Sequence, residues 1–243
     1  MKLIFAGTRG EIEEENEKHK YHSSLILEES NCSILIDIGV KHSEKLYSQI
    51  NSFDAILITH AHPDHYLWTT IKDNFITVPV YLTFDTLNYS NNKPLNFRIF
   101  EAQVKFKIKH FEIAAFDVIH SLRCPAVCFK IKGLEKQVLY APDILDTAQP
   151  KDVVFSNIDV LIADGSSFDI NLVRNRDGKL FGHAMIKTII NWCKKYNVKQ
   201  LIITHCGKQI VSGNEEELFK KILNIAENKL KVLIAFDGME LEI

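Results

Sequence analysis

With 29 Lys and Arg against 31 Asp and Glu in 243 residues, the chain carries a net charge of −2, which excludes the broad basic footprint of a duplex nucleic-acid binder. A composition of 46% hydrophobic and 25% charged residues excludes a disordered, collagen-like or coiled-coil chain. No apolar run reaches the ~18–20 residues that span a bilayer, and the start MKLIFAGTRG lacks the longer apolar stretch and small-residue cleavage site of a secretory signal, so a cytoplasmic protein with no membrane partner is expected.

Short apolar runs bounded by polar turns predict strands over Lys2–Ala6, Ser24–Glu28, Ser33–Ile38, Ala55–Thr59, Val78–Leu82, Arg98–Phe100, Gln103–Ile108, Phe111–Ile119, Ala126–Lys132 and Gln137–Tyr140. The series continues with Val160–Ala163, Gln200–Thr204 and Lys231–Ala235. Helices are predicted over His42–Ile50, over Ala184–Tyr196, and over Glu215–Asn228 behind an Asn214 cap. The first part of the chain is strand-rich and the last part alternates strand and helix. No Pro/Gly/Ser-rich linker divides them, so the expectation is one α+β domain over residues 1–243. The acidic run from Glu11 to Glu17 reads as a solvated loop. Five scattered cysteines, Cys32, Cys124, Cys128, Cys193 and Cys206, make a poor disulfide framework and read as small buried hydrophobes.

The chemistry is concentrated at His60-Ala61-His62-Pro63-Asp64-His65, directly after the apolar run Ala55–Thr59. Three imidazoles and a carboxylate are the ligand types that suit zinc and similar divalent ions. Pro63 breaks any helix, so the cluster lies on a loop leaving a strand. His60 and His62, two residues apart, can face one ion while Asp64 and His65 turn toward a second. Later predicted strands also end at single polar residues, His120, Asp143, Asp164 and His205, the last in Leu201-Ile202-Ile203-Thr204-His205, which taken alone read as ordinary surface or core residues.

The hexapeptide resembles the HxHxDH signature of the metallo-β-lactamase superfamily, and the downstream ligands recur in that family's order. The resemblance implies an αββα sandwich of two face-to-face sheets with helices outside. It implies one metal on His60, His62 and His120, a second on Asp64, His65 and His205, and Asp143 bridging, with Asp164 as the rival bridge because it too ends a strand. The implied cofactors are two divalent ions, zinc first and manganese as the alternative, sharing a hydroxide that attacks phosphorus or carbonyl carbon. His183, in Phe181-Gly182-His183-Ala184, resembles the histidine of the ribonuclease Z and phosphonate-pathway cyclic phosphodiesterase branch that touches phosphoryl oxygens or protonates the leaving group. Asp64 and His183 are thus the implied catalytic residues. The 22 residues between His120 and Asp143 leave no room for a projecting tRNA-binding arm, which moves the chain toward the compact phosphodiesterases.

The functional expectation is therefore a metal-dependent hydrolase, a phosphodiesterase acting on a small cyclic phosphate or RNA-like diester. The alternatives are an ester, lactone or thioester hydrolase on the same site, and a non-catalytic metal-bound scaffold. The expected partner is a small or short nucleotide-like substrate; a homodimer is open to the chain, and the sequence does not set the oligomeric state. The helix N-terminus beside His183 is expected to favour an anion. His19, His42 and His110 read as surface residues. His22 is a candidate pocket residue, and Arg9, Lys18 and Lys20 are candidates to meet a phosphate.

Overall fold

Along Lys2–Gly7 (β1), Leu3 and Phe5 are buried while Lys2 and Ile4 are partly exposed, the two-residue period of a strand with one face on the core. The computed structural model describes residues 1–72, 75–227 and 229–243. β1 pairs antiparallel with Ser24–Glu29 (β2), which pairs antiparallel with Cys32–Ile36 (β3). Three parallel additions follow, Ala55–Leu57 (β4), Val80–Leu82 (β5) and Phe97–Ile99 (β6). Short helices Glu44–Ser48 (α1) and Phe84–Tyr89 (α2) connect them, capped by the side chains of Ser43 and Thr83.

The second half builds another sheet. Phe106–Ile108 (β7), Phe111–Ile119 (β8), Ala126–Lys132 (β9) and Gln137–Ala141 (β10) form an antiparallel meander, and Asp146–Thr147 (β11) returns against β8. After Lys151–Val154 (α3), Val160–Asp164 (β12) lies parallel to β10. A separate hairpin, Arg174–Arg176 (β13) and Lys179–Phe181 (β14), precedes Ile186–Lys195 (α4). Gln200–Thr204 (β15) then pairs parallel with β12. Helices Lys208–Val211 (α5) and Glu215–Ala226 (α6) lead to Lys231–Ile234 (β16), parallel to β15. Finally Glu240–Glu242 (β17) crosses to pair with β1, giving a first sheet of order β17-β1-β2-β3-β4-β5-β6.

Three apolar clusters define four layers. Leu3, Leu25, Ile34 and Leu57 of the first sheet meet Ala115, Phe129, Tyr140 and Ile162 of the second between the sheets. The outer face of the first sheet, through Leu35, Ile56 and Val80, packs on Leu46, Trp68 and Leu87. The outer face of the second, through Leu139, Leu161 and Ile203, packs on Ile186, Ile190 and Ile222 of α4 and α6. Burying an Ile, Leu or Phe side chain contributes roughly 1.5–3 kcal/mol, and these strands are apolar on both faces because both are covered. This is the expected αββα sandwich. Among the described residues no helix is long and apolar enough to cross a membrane.

Several boundaries differ from the sequence expectation. The third strand stops at Ile36 because Asp37 turns to φ 63°, and α4 begins at Ile186 rather than Ala184. α6 ends at Ala226; Asn228, the expected end of that helix, lies outside the described residues. Neither α2 nor the β13–β14 hairpin nor β17 was expected.

Candidate metal centre

The candidate ligands come from strand ends at one rim of the sandwich. His60 to His65 follow β4, His120 follows β8, Asp143 follows β10, and His205 follows β15. The parallel register that matches Ala141 with Ala163 and Asp164 with Thr204 carries Asp143, Asp164 and His205 to the same level. Rigid strand ends fix these side chains more tightly than a free loop does.

Two clusters result. His62 Nδ1 lies 2.9 Å from His60 Nε2 and 3.2 Å from His120 Nε2. Asp64 Oδ2 lies 3.2 Å from His65 Nε2 and 3.1 Å from His205 Nε2. Asp143 sits between them: Oδ2 is 2.8 Å from His65 Nε2, and Oδ1 is 3.3 Å from His205 Nε2 and 3.6 Å from His120 Nε2. Ligand atoms on a tetrahedral ion with bonds of ~2.0–2.1 Å stand roughly 3.3 Å apart, so both clusters have the spacing of a coordination shell. Asp64 Oδ1, His65 Nε2 and Asp143 Oδ2 are buried with no hydrogen-bond partner among the described residues. Such orphaned atoms are costly unless a ligand satisfies them. Histidine nitrogens and carboxylates aimed inward without partners fit divalent cations.

Electrostatics point the same way. Burial alone raises Asp64 and Asp143, but the surrounding imidazoles hold both well below the usual carboxylate range. Burial lowers His205, yet Asp143, Asp164 and Asp64 lift it to about 10; the carboxylates around His65 raise it as well. The pocket favours positive charge.

Outer contacts orient the rings. His65 Nδ1–H donates to Asp37 Oδ2 at 2.8 Å. Thr59 donates to the same carboxylate through both its backbone N–H and its hydroxyl, and the hydroxyl accepts from His60 Nδ1–H at 3.0 Å. One buried carboxylate therefore aligns a histidine in each cluster. The left-handed φ of 63° that lets Asp37 do this is tolerated by Asp more readily than by most residues. The sequence pattern places Asp37 inside the strand Ser33–Ile38. Its only signal was a charged residue closing the apolar run Ile34-Leu35-Ile36.

Asp164 is spent differently. Its Oδ2 accepts from Ile144 N–H at 3.0 Å and from His183 Nδ1–H at 2.8 Å, and its Oδ1 accepts from Ser166 N–H at 2.9 Å. Asp164, His183 and His205 are close enough to be read as a ligand group, but Asp164 accepts three hydrogen bonds, whereas Asp143 Oδ2 takes none and faces His65 Nε2 at the centre. His205 Nδ1–H donates to Ser166 Oγ at 3.0 Å, so Ser166 and Asp164 brace both His205 and His183.

His183 lies on the loop between β14 and α4, with 22% of its side chain exposed to a cleft of about 610 Å³ above the clusters. The cleft is also lined by His62, Asp64, His120, Asp143 and His205. Burial lowers His183, but Asp164 raises it and the net direction is up.

Other expectations are corrected. The first N–H of α4, at Ile186, donates to Ser167 C=O at 2.8 Å and so is not free for an anion. Arg9 is buried and donates to the carbonyl of Ile12, and the acidic loop is folded around it through Glu14 C=O at 3.3 Å. Arg9, Lys18, Lys20 and His22 are not among the residues lining the cleft. His19 is fully buried, 2.8 Å from Thr8 Oγ1. His110 is half-buried against Glu29, and His42 is half-buried, accepting from Gly39 N–H. All five cysteines are buried thiols, and Cys124 Sγ accepts from Ala61 N–H inside the hexapeptide.

A family model described as the beta-lactamase superfamily domain matches residues 34–206, more than half of the chain. The metallo-beta-lactamase fold protein YhfI from Bacillus subtilis is similar in structure, with a TM-score of 0.72, 21% identity and 99% of each chain covered. Zn2+-bound PqqB from Methylobacterium extorquens has a TM-score of 0.71 and 12% identity with 100% of each chain covered. A diphosphatase from the PhnP family has a TM-score of 0.70 and 16% identity, covering 100% of this chain and 96% of its own. A sequence comparison with curated proteins gave no match.

Proposed function

This chain belongs to the beta-lactamase superfamily, and we propose that it is a metal-dependent hydrolase acting as a phosphodiesterase on a small cyclic phosphate or RNA-like diester. In this reading His60, His62 and His120 would hold one ion, Asp64, His65 and His205 the second, with Asp143 available to both. Zinc suits this nitrogen-rich donor set best. When bound, the ions supply Lewis-acid charge and activate water near neutral pH.

The chain's own residues supply orientation and a proton. Asp37 and Thr59 fix the tautomers of His65 and His60, so that Nε2 of each faces the centre. The carbonyl of Gly182 does the same for His120. One observation carries the choice of a phosphodiester: His183 opens on the cleft beside Asp143 while Asp164 holds its Nδ1. An imidazolium held this way, with Nε2 turned from the carboxylate, suits a phosphoryl oxygen or a departing alkoxide. Hydrolysis of a lactone or thioester needs no such group at this position.

Metal analysis of zinc-reconstituted protein tests the centre, with close to two ions per chain expected. Bis(p-nitrophenyl) phosphate, cyclic nucleotides, a lactone and a thioester, assayed side by side, test the chemistry. Turnover of the phosphodiesters above the carboxyl esters supports the reading. Turnover of lactone or thioester alone overturns it.

A further inference from the structure

We propose that the β13–β14 hairpin is a recognition element for a second phosphate, beyond the one at the metal centre. The inference rests on the phosphodiesterase reading above and narrows its substrate class.

The hairpin's register decides which side chains face the cleft. Arg174 pairs with Phe181, Asn175 with Leu180, and Arg176 with Lys179. Directly paired residues in an antiparallel ladder point to the same face, and faces alternate along each strand. Arg174, Phe181, Arg176 and Lys179 therefore share one face, and Asn175 and Leu180 share the other. Arg174, Arg176 and Phe181 all line the cleft, so the cationic face is the one turned to the substrate. The turn is Asp177-Gly178, with φ of 52° and 77°, the positive values a tight two-residue hairpin needs.

Arg123 adds a third guanidinium from the loop that follows His120. Among the described residues, none of Arg123, Arg174 and Arg176 has a carboxylate within ion-pair distance, although surface lysines elsewhere in the chain are commonly paired. Among the described residues, Glu11 is the sole carboxylate lining the cleft outside the candidate ligands. Three unpaired guanidiniums against one carboxylate leave an excess of positive charge at the rim. In the phosphodiesterase reading the scissile phosphate would sit over the candidate ligands at the floor, which leaves the rim charge for another anion. Guanidinium forks match phosphate oxygens in pairs.

The second phosphate has two sources, the terminal phosphate of a small nucleotide-like molecule or the next internucleotide phosphate of a short single strand. Calorimetry on zinc-reconstituted protein, at fixed ionic strength, separates them. The probes are adenosine 5′-phosphate, adenosine 3′,5′-bisphosphate and a trinucleotide made with non-hydrolysable phosphorothioate links. The wild type should bind the bisphosphate or the trinucleotide about 10-fold or more tighter than the monophosphate, since a charge-assisted hydrogen bond is worth that much even when partly exposed. The double variant Arg174→Gln/Arg176→Gln should collapse that ratio toward one, and Arg174→Lys/Arg176→Lys should restore part of it. A tight bisphosphate assigns the terminal source, and a tight trinucleotide alone assigns the strand. Equal affinity of the wild type for all three, or a ratio unchanged by Arg174→Gln/Arg176→Gln, would overturn the proposal. Failure of the phosphodiesterase reading shows separately, as absent turnover of bis(p-nitrophenyl) phosphate by the wild type.

Discussion

His120 and Gly182 grip each other in both directions: Gly182 N–H donates to His120 C=O at 2.7 Å, and the His120 ring donates from Nδ1 to Gly182 C=O at 3.2 Å. The first bond fixes where the chain re-enters the site after the hairpin. The second leaves His120 Nε2 as the free nitrogen facing His62. Gly182 stands at φ +119°, and a Cβ there would meet Leu172 C=O at 2.2 Å. Gly182→Ala should therefore cost about 1–3 kcal/mol of stability, the usual range for a strained backbone position, and, on the proposed ligand assignment, should weaken metal binding at the His60–His62–His120 cluster more than at the other. Urea unfolding and stepwise chelator titration measure the two effects. A variant as stable as the wild type with both ions intact would refute the linkage.

Asp37 serves both clusters, directly through His65 and by way of Thr59 to His60. Asp37→Asn keeps the size but puts an amide nitrogen where at least one donor now points. Metal affinity should fall by about 10–100-fold, the common loss for a partner behind a metal-binding histidine. Competition against a zinc chelator, with circular dichroism to confirm the fold, reads this out.

Asp143 and Asp164 both close strands of the second sheet, and the sequence alone weights them without separating them. Their hydrogen bonds separate them. Asp143→Ala should lose one of two ions and most turnover, because the carboxylate between the clusters is gone. Asp164→Ala should keep both ions but strand the N–H groups of Ile144 and Ser166, destabilising the fold by about 1–3 kcal/mol for each buried donor left unpaired. Metal stoichiometry reversed between the two variants would assign the bridge to Asp164.

The hexapeptide and the strands Phe111–Ile119, Ala126–Lys132 and Gln200–Thr204 were legible because ligand density and apolar period are local properties. The braces were not. Asp37 reaches His65 across 28 positions, Ser166 reaches His205 across 39, and Gly182 meets His120 across 62. Such pairs exist only once two sheets face each other. Arg9 failed for the opposite reason: its charge suggests surface, but the loop carbonyls of Ile12 and Glu14 give it a buried set of acceptors. The cationic hairpin face was hidden because Arg-Asn-Arg-Asp-Gly-Lys reads as an ordinary polar turn until its orientation is known.

His22 is buried, with an unpartnered Nδ1, and burial pulls its pKa down to about 4. The unfolded chain, with a histidine near ~6.5, binds more protons between the two values, so stability falls as pH drops through that window. His22→Gln should remove up to about 1.4 kcal/mol per pH unit of that slope between roughly pH 6 and 4.5. Urea unfolding of the metal-free protein at several pH values, wild type against variant, measures it. Parallel pH profiles would show that His22 titrates like an exposed histidine.

His183 provides the most discriminating test of mechanism. It faces the cleft from the β14–α4 loop, and its Nδ1 is committed to Asp164, so its removal takes away an imidazole beside the centre without removing a proposed ligand. His183→Ala should retain both ions and lose about 10²–10⁴-fold in turnover of an ordinary alkyl phosphodiester, the range for a general acid. With p-nitrophenolate as leaving group the loss should shrink, because that group departs without a proton. If good and poor leaving groups suffer equally, the acid role falls and His183 acts only on the non-bridging phosphoryl oxygens. Asp164→Ala frees the same imidazole, so it should lower the basic limb of the pH–rate profile toward the value of an unpaired histidine, whereas a purely structural role would leave that limb in place. Full activity of His183→Ala on every phosphodiester tried would remove the observation that favours phosphorus over carbonyl carbon, and carboxyl-ester chemistry would take its place.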